Sequence, residues 1–209
     1  YLTPQRLLSE EKTSADVPSK YHTEGIKPGR ISFIKTFDEE TLFAGYPKLH
    51  LYASVEDADD GDFFIWVQKL DRNGNMLSSF TVPNHGAPIQ DFTQDGGTIL
   101  RYKGPNGRLR LSMRKLDESM TTDEVPAYSF DTIQKLSDGE VVEADIVLSP
   151  IGMVFYPGES IRVLISPKEE YGDGKMPGTA GSIPDNKGWH VIHTGGENAS
   201  YLQLPLKKN

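Results

Sequence analysis

Leu49-His50-Leu51-Tyr52-Ala53-Ser54-Val55 decides the fold class. In an extended chain Leu49, Leu51, Ala53 and Val55 fall on one face while His50, Tyr52 and Ser54 fall on the other, the mark of a strand with one buried side. The pattern recurs on either side. Ile31, Phe33 and Phe37 share a face; Leu109, Leu111 and Met113 alternate with Arg108, Arg110, Ser112 and Arg114; Val142, Ala144, Ile146 and Leu148 alternate with Val141, Glu143, Asp145 and Val147. Ile161, Val163 and Ile165 repeat it. Trp189 to Thr194 and Tyr201 to Leu206 are predicted as the final strands, joined through Gly195-Gly196-Glu197-Asn198 in a hairpin-like connection.

Turn chemistry agrees with a chain of short strands. Asp71-Arg72-Asn73-Gly74-Asn75 is a hairpin signal, because Asn-Gly tolerates the positive φ of a tight turn. Pro157-Gly158-Glu159 does the same ahead of Ile161. No amphipathic helix of three turns is present, and Met113 to Thr122 offers at most a short helical turn. The expected class is all-β: about eight strands with long connections, forming a jelly-roll β-sandwich of two antiparallel sheets. A length of 209 residues suits one such sandwich. Residues 1–29 mix Leu7 and Leu8 with many charges and no period, so they are read as a linker or arm, and 30–209 as the sandwich domain.

Composition excludes several functions. The 22 basic and 30 acidic residues give a net charge of −8, which repels nucleic-acid phosphates. Cysteine is absent, which removes disulfides, thiolate nucleophiles and zinc ribbons. No run of about 18 apolar residues and no leader pattern is seen, so the expectation is a soluble chain, in the cytoplasm for preference, with no membrane partner. The first residue is Tyr1 rather than Met, which predicts a longer parent.

No constellation of reacting groups stands out. A nucleophile elbow needs Gly-x-Ser-x-Gly, whereas Gly178-Thr179-Ala180-Gly181-Ser182 has Ala at 180 and reads as a surface loop. His190 and His193 are three apart, which on a strand points them to opposite faces and away from a shared metal. His22, His50 and His85 are isolated and read as packing or surface residues. Glu56, Asp57, Asp59, Asp60 and Asp62 lack the ligand ladder of a calcium loop and read as a solvated cap. Phosphate-binding glycine motifs are missing. Asn198-Ala199-Ser200 fits the glycosylation tripeptide, which means little without a leader. Trp66, Trp189, Tyr52, Tyr128 and Tyr201 leave open a carbohydrate-binding module, although most sandwich aromatics are core. The expectation is no metal, no cofactor and no catalytic residue in these 209 positions.

One strand breaks the alternation. Asp62 to Leu70 is apolar on both faces, with Phe63, Ile65 and Val67 on one and Phe64, Trp66 and Leu70 on the other. Such a strand must be covered twice, by a long loop of its own domain or by a separate partner domain.

Several segments resemble, in order, the non-catalytic C-terminal domain of the CocE/NonD hydrolases, relatives of the X-Pro dipeptidyl-peptidases. They are Gly45-Tyr46-Pro47-Lys48-Leu49-His50-Leu51, Asp59-Asp60-Gly61-Asp62-Phe63-Phe64-Ile65-Trp66-Val67, Asn73-Gly74, and Gly107-Arg108-Leu109-Arg110 with Arg114. Leu136 to Val142, Pro157-Gly158-Glu159-Ser160-Ile161-Arg162-Val163 and His193-Thr194-Gly195-Gly196 complete the series. Thr81 to Gly97 departs from it, being longer and more polar. The resemblance implies a galactose-binding-like jelly roll docked on an α/β-hydrolase domain of the same parent chain, with the Ser, Asp and His of the triad lying outside these residues. It implies a parent that cleaves an ester or X-Pro peptide, and it leaves a homo-oligomer open. The candidate domain interface is Phe64, Trp66 and Leu70 with Asp60, Asp62 and Arg114. A self-sufficient hydrolase with an unrecognised site is the remaining reading.

Overall fold

A computed structural model describes residues 1–80, 101–170 and 186–207. Its strands are β1 (Ser19–His22), β2 (Ile31–Thr36), β3 (Thr41–Gly45), β4 (Lys48–Glu56), β5 (Asp62–Leu70), β6 (Met76–Leu77), β7 (Ser79–Phe80), β8 (Arg101–Tyr102), β9 (Asn106–Arg110), β10 (Val142–Val147), β11 (Ile151–Phe155), β12 (Ser160–Ser166), β13 (Trp189–Ile192) and β14 (Tyr201–Gln203). One sheet runs β1-β13-β4-β10, with β14 also on β4; the other runs β2-β12-β5-β6, with β9 also on β5. β3 pairs with β11 and β7 with β8, and every pairing is antiparallel. The two sheets face each other as an all-β jelly-roll sandwich, as the alternation requires.

The core is where the alternating faces meet. Leu49, Leu51, Ala53 and Val55 of β4 are fully buried, as are Ile161, Val163 and Ile165 of β12 and Phe63, Ile65 and Val67 of β5. Each large apolar side chain so covered contributes about 1.5–3 kcal/mol. Phe37, Phe43 and Phe155 close one end of the sandwich, with ring centroids 4.8–5.8 Å apart. His190 of β13 stacks on Phe63 at 4.0 Å and ties the sheets together. The approach needs Gly61, where an added Cβ would sit 2.7 Å from His190 Nε2.

The second face of β5 is closed too. Phe64, Trp66 and Leu70 are 3%, 8% and 3% exposed. Among them Gln68 is wholly buried, and its Oε1 accepts from Arg162 Nε at 2.8 Å. The turn at Asp71 forms as its sequence predicts: Gly74 has φ +81°, and Asp71 Oδ1 accepts from the amides of Asn73 and Asn75.

Two expectations are corrected. Leu111–Met113 forms a single 3-10 turn instead of extending β9, because the Ser112 amide donates to the Asp60 carboxylate at 3.0 Å rather than to a neighbouring strand. β13 and β14 do not form a hairpin; both pair antiparallel with β4, one after the other along the same strand. Gly195 and Gly196, at φ +112° and +58°, carry the intervening chain outward to the amino-terminal segment, where the Gly196 amide donates to Thr13 O at 2.9 Å. The segment 1–29, read from sequence as an arm, lies along the sandwich: β1 pairs with β13, Leu2 is fully buried, and Leu8 donates to Ile34 O at 2.9 Å. Thr81 to Gly97 and Gly178 to Ser182 lie outside the described residues.

Burial pushes the His190 pKa from 6.5 down to about 3, outweighing Asp62 and Asp60, which act the other way. The unfolded chain takes up this proton near pH 6.5, the folded chain only near 3. Unfolding therefore draws in a proton over that window, and stability is lost as pH falls, by up to about 1.4 kcal/mol per unit. In urea melts, His190→Gln is expected to be less stable than the parent at pH 7 yet to lose less between pH 6.5 and 4.5.

Candidate functional site

The six residues expected at a domain interface fall into two groups. Phe64, Trp66 and Leu70 form the buried second face of β5. Asp60, Asp62 and Arg114 sit at its amino-terminal end, where the loop from Arg114 to Leu136 returns. Asp60 Oδ1 accepts from the amides of Gly61 at 2.9 Å and Ser112 at 3.0 Å, and its Oδ2 lies 3.3 Å from Lys135 Nζ. Burial pushes the Asp60 pKa up, but these donors outweigh it and hold the carboxyl below its ordinary value. Asp62 receives Arg110 in a two-pronged pair, Nε to Oδ1 and Nη2 to Oδ2, both at 2.8 Å. Arg114 Nη1 donates to Leu111 O at 3.0 Å and Gln134 O at 2.7 Å. The cluster fastens a long connection to the sheet. Among the described residues no group of three or more His, Asp or Glu side chains is arranged to hold a metal ion.

The aromatic candidates do not form one platform. Trp66 is buried, Trp189 meets His22 edge-on at 5.0 Å, and Tyr128 Oη donates to Asp145 O at 2.7 Å on the rim of β10. Tyr52 and Tyr201 flank His50 on the outer face of β4, with Tyr201 stacked at 4.6 Å and Tyr52 at 5.1 Å. There His50 Nδ1 lies 2.7 Å from Asp145 Oδ1, and Lys48 Nζ donates to Oδ2 at 3.2 Å. Burial pushes the Asp145 pKa up, but His50 and Lys48 outweigh it and keep it low.

His190 and His193 do point to opposite faces. His190 lies in the core between Tyr21 Oη, 2.9 Å from Nδ1, and Asn186 Oδ1, 3.2 Å from Nε2; only the tautomer protonated on Nε2 satisfies both. His193 lies on the outer face, where a serine, an imidazole and a carboxylate come together that no motif of the sequence pointed to. Its Nε2 is 3.1 Å from Ser54 Oγ and its Nδ1 is 2.8 Å from Asp16 Oδ2. The sequence hid this grouping because Asp16 lies 177 residues from His193, in a segment without period.

The connectivity is that of a hydrolytic triad, but the setting is not. Ser54 lies within β4 at 3% exposure, sealed from any acyl group. A nucleophile needs room for a carbonyl carbon and donors for the oxyanion. Asp16 spends its oxygens on structure: it also accepts from the Thr194 amide and Asn198 Nδ2, both at 3.1 Å. Burial pushes the Asp16 pKa up, and the bonds from His193 and Asn198 reverse that. Thr194 Oγ1 donates to Val17 O at 2.7 Å, and Thr13 Oγ1 to Thr194 O at 3.2 Å. The trio is a clasp that fastens the arm to the sheet.

A groove of about 1110 Å³ opens at the end of the sandwich, between Tyr1, the β2–β3 turn and the carboxy-terminal segment. None of Ser54, His193 and Asp16 lines it.

The model of the X-Pro dipeptidyl-peptidase C-terminal non-catalytic domain matches residues 1–203. The chain belongs to that family. Two crystal structures of a CocE/NonD family hydrolase from Staphylococcus aureus align over 99% of the chain, at 31% and 30% identity with TM-scores of 0.83 and 0.81. An aminopeptidase from a marine sediment Thaumarchaeota archaeon shares the fold at 13% identity and TM-score 0.64, aligned over 100% of the chain and 36% of its own. No curated protein sequence matches. The X-Pro dipeptidyl-peptidase C-terminal domain seen here spans about a third of the Staphylococcus hydrolase, 36% and 35% in the two structures.

Asp16→Ala removes an acceptor shared by His193, Thr194 and Asn198. It is expected to cost about 1–3 kcal/mol in denaturant melts. Amide exchange should rise first in residues 13–17 and 193–196.

Proposed function

We propose that this chain is the non-catalytic C-terminal part of a larger serine hydrolase whose α/β-hydrolase domain lies upstream, and that it braces and shapes the catalytic domain without taking part in chemistry. The observation that carries this reading is the asymmetry of coverage: 99% of the chain aligns with 36% of a CocE/NonD hydrolase, at 31% identity. The sealed setting of Ser54 agrees with it. The parent would cleave an ester or an X-Pro peptide through an acyl-enzyme, with its nucleophile supplied by the other domain.

In this reading the second face of β5 is a brace. Phe64, Trp66 and Leu70 make it rigid, and Asp60, Asp62 and Arg114 hold the loop beside it at a fixed height for a neighbouring domain.

The test is turnover of p-nitrophenyl acetate and of an X-Pro p-nitroanilide by residues 1–209 and by the full-length parent. Turnover is expected from the parent and none above buffer from residues 1–209. Ser54→Ala in the parent should leave kcat/KM within about twofold. Hydrolysis by residues 1–209 that Ser54→Ala abolishes would overturn the assignment.

A further inference from the structure

We infer that the groove beside Tyr1 is the seat of the upstream catalytic domain, and that the segment it receives presents an aliphatic side chain next to Lys or Arg. This rests on the function proposed above and adds where the two domains meet and with what chemistry.

The first argument is where the chain outside these residues joins. CocE/NonD relatives extend well beyond the aligned part, and the matched family is a C-terminal domain. In the function proposed above, the family match starts at residue 1, so the polypeptide that bears the catalytic domain joins beside Tyr1, which is itself part of the groove wall. A tether anchored in the wall holds whatever it carries at high effective concentration over the opening.

The second is the lining. The floor reaches the core through Phe37, Phe43 and Ile161, and the lip carries Leu206, which is 55% exposed although it bridges to Phe43. The apolar floor and Leu206 together give the groove an apolar side that an aliphatic side chain would fill.

The third is charge. Asp38, Glu39 and Glu40 stand exposed in a row on the rim, and none has an ion pair among the described residues. Across the groove Glu10 is already held by Lys35 at 2.6 Å. Lys207 is the one exposed side-chain cation in the lining without an ion pair among the described residues, so three carboxylates against one ammonium leave an acidic excess that complements a cationic, aliphatic segment and would orient it before contact.

Two measurements on the full-length parent test this. Carbodiimide labelling of Asp38, Glu39 and Glu40 is expected to run several-fold slower than that of Glu24 and Glu197, which are exposed and lie outside both the groove and the Arg114–Leu136 loop. Equal rates overturn the inference. Glu39→Lys combined with Leu206→Glu, both exposed and outside the core, is expected to split one cooperative melt into two transitions, while Ile26→Glu, at a 98% exposed position away from the groove, leaves it single. A groove variant that still melts in one step at the parent's midpoint also overturns it. A parent without ester or X-Pro turnover refutes the proposed function; an active parent with reactive rim carboxylates refutes the groove alone.

Discussion

Burying both faces of β5 at once is the demand that organises this sandwich. One face meets the opposite sheet through Phe63, Ile65 and Val67, with His190 laid flat on Phe63. The other closes over Phe64, Trp66 and Leu70, and Gln68, wholly buried among them, is answered by Arg162. A buried amide left unanswered would cost about 1–3 kcal/mol, so Arg162 on β12 is part of what allows the strand to be covered twice. The acidic start of the same strand then fastens the long return from Arg114, through hydrogen bonds that outweigh the cost of burying Asp60.

A serine, an imidazole and a carboxylate in hydrogen-bonded sequence do not by themselves make a reaction centre. Ser54, His193 and Asp16 show the relay in good geometry on a chain that belongs to a non-catalytic family. What they lack is access. The serine is sealed within a paired strand, and the carboxylate divides its oxygens among an imidazole, an amide and an asparagine. The same chemistry that orients a general base in an enzyme here joins two stretches remote in sequence.

The sandwich was legible wherever a strand had one wet face. Leu49 to Val55, Val142 to Leu148 and Ile161 to Ile165 fell where their alternation placed them. Extension of β9 through Met113 was misread because Leu111 keeps the inward period while its neighbour's amide is taken by a carboxylate 52 residues away. The course of β13 and β14 was misread because a glycine pair serves both for reversing a strand and for a detour that resumes in the same direction. The clasp and the groove were invisible for a different reason: both are assembled from the aperiodic first residues and strands far along the chain, and no local pattern encodes such a meeting. Apolar excess on both faces of β5 marks Phe64, Trp66 and Leu70 as residues that must be covered, and they are buried, but a residue pattern does not say what covers them.

The arm is held on both sides of residues 11 and 12: before them by the Leu2 amide on Ser200 O and the Leu8 amide on Ile34 O, and after them where Asp16 and Val17 meet His193 and Thr194. Glu11 and Lys12, between them, are exposed. A protease that nicked the backbone there would leave both cut ends moored to the carboxy-terminal strands. The clipped molecule would run as one particle in a sizing column and fall into two pieces only on denaturation.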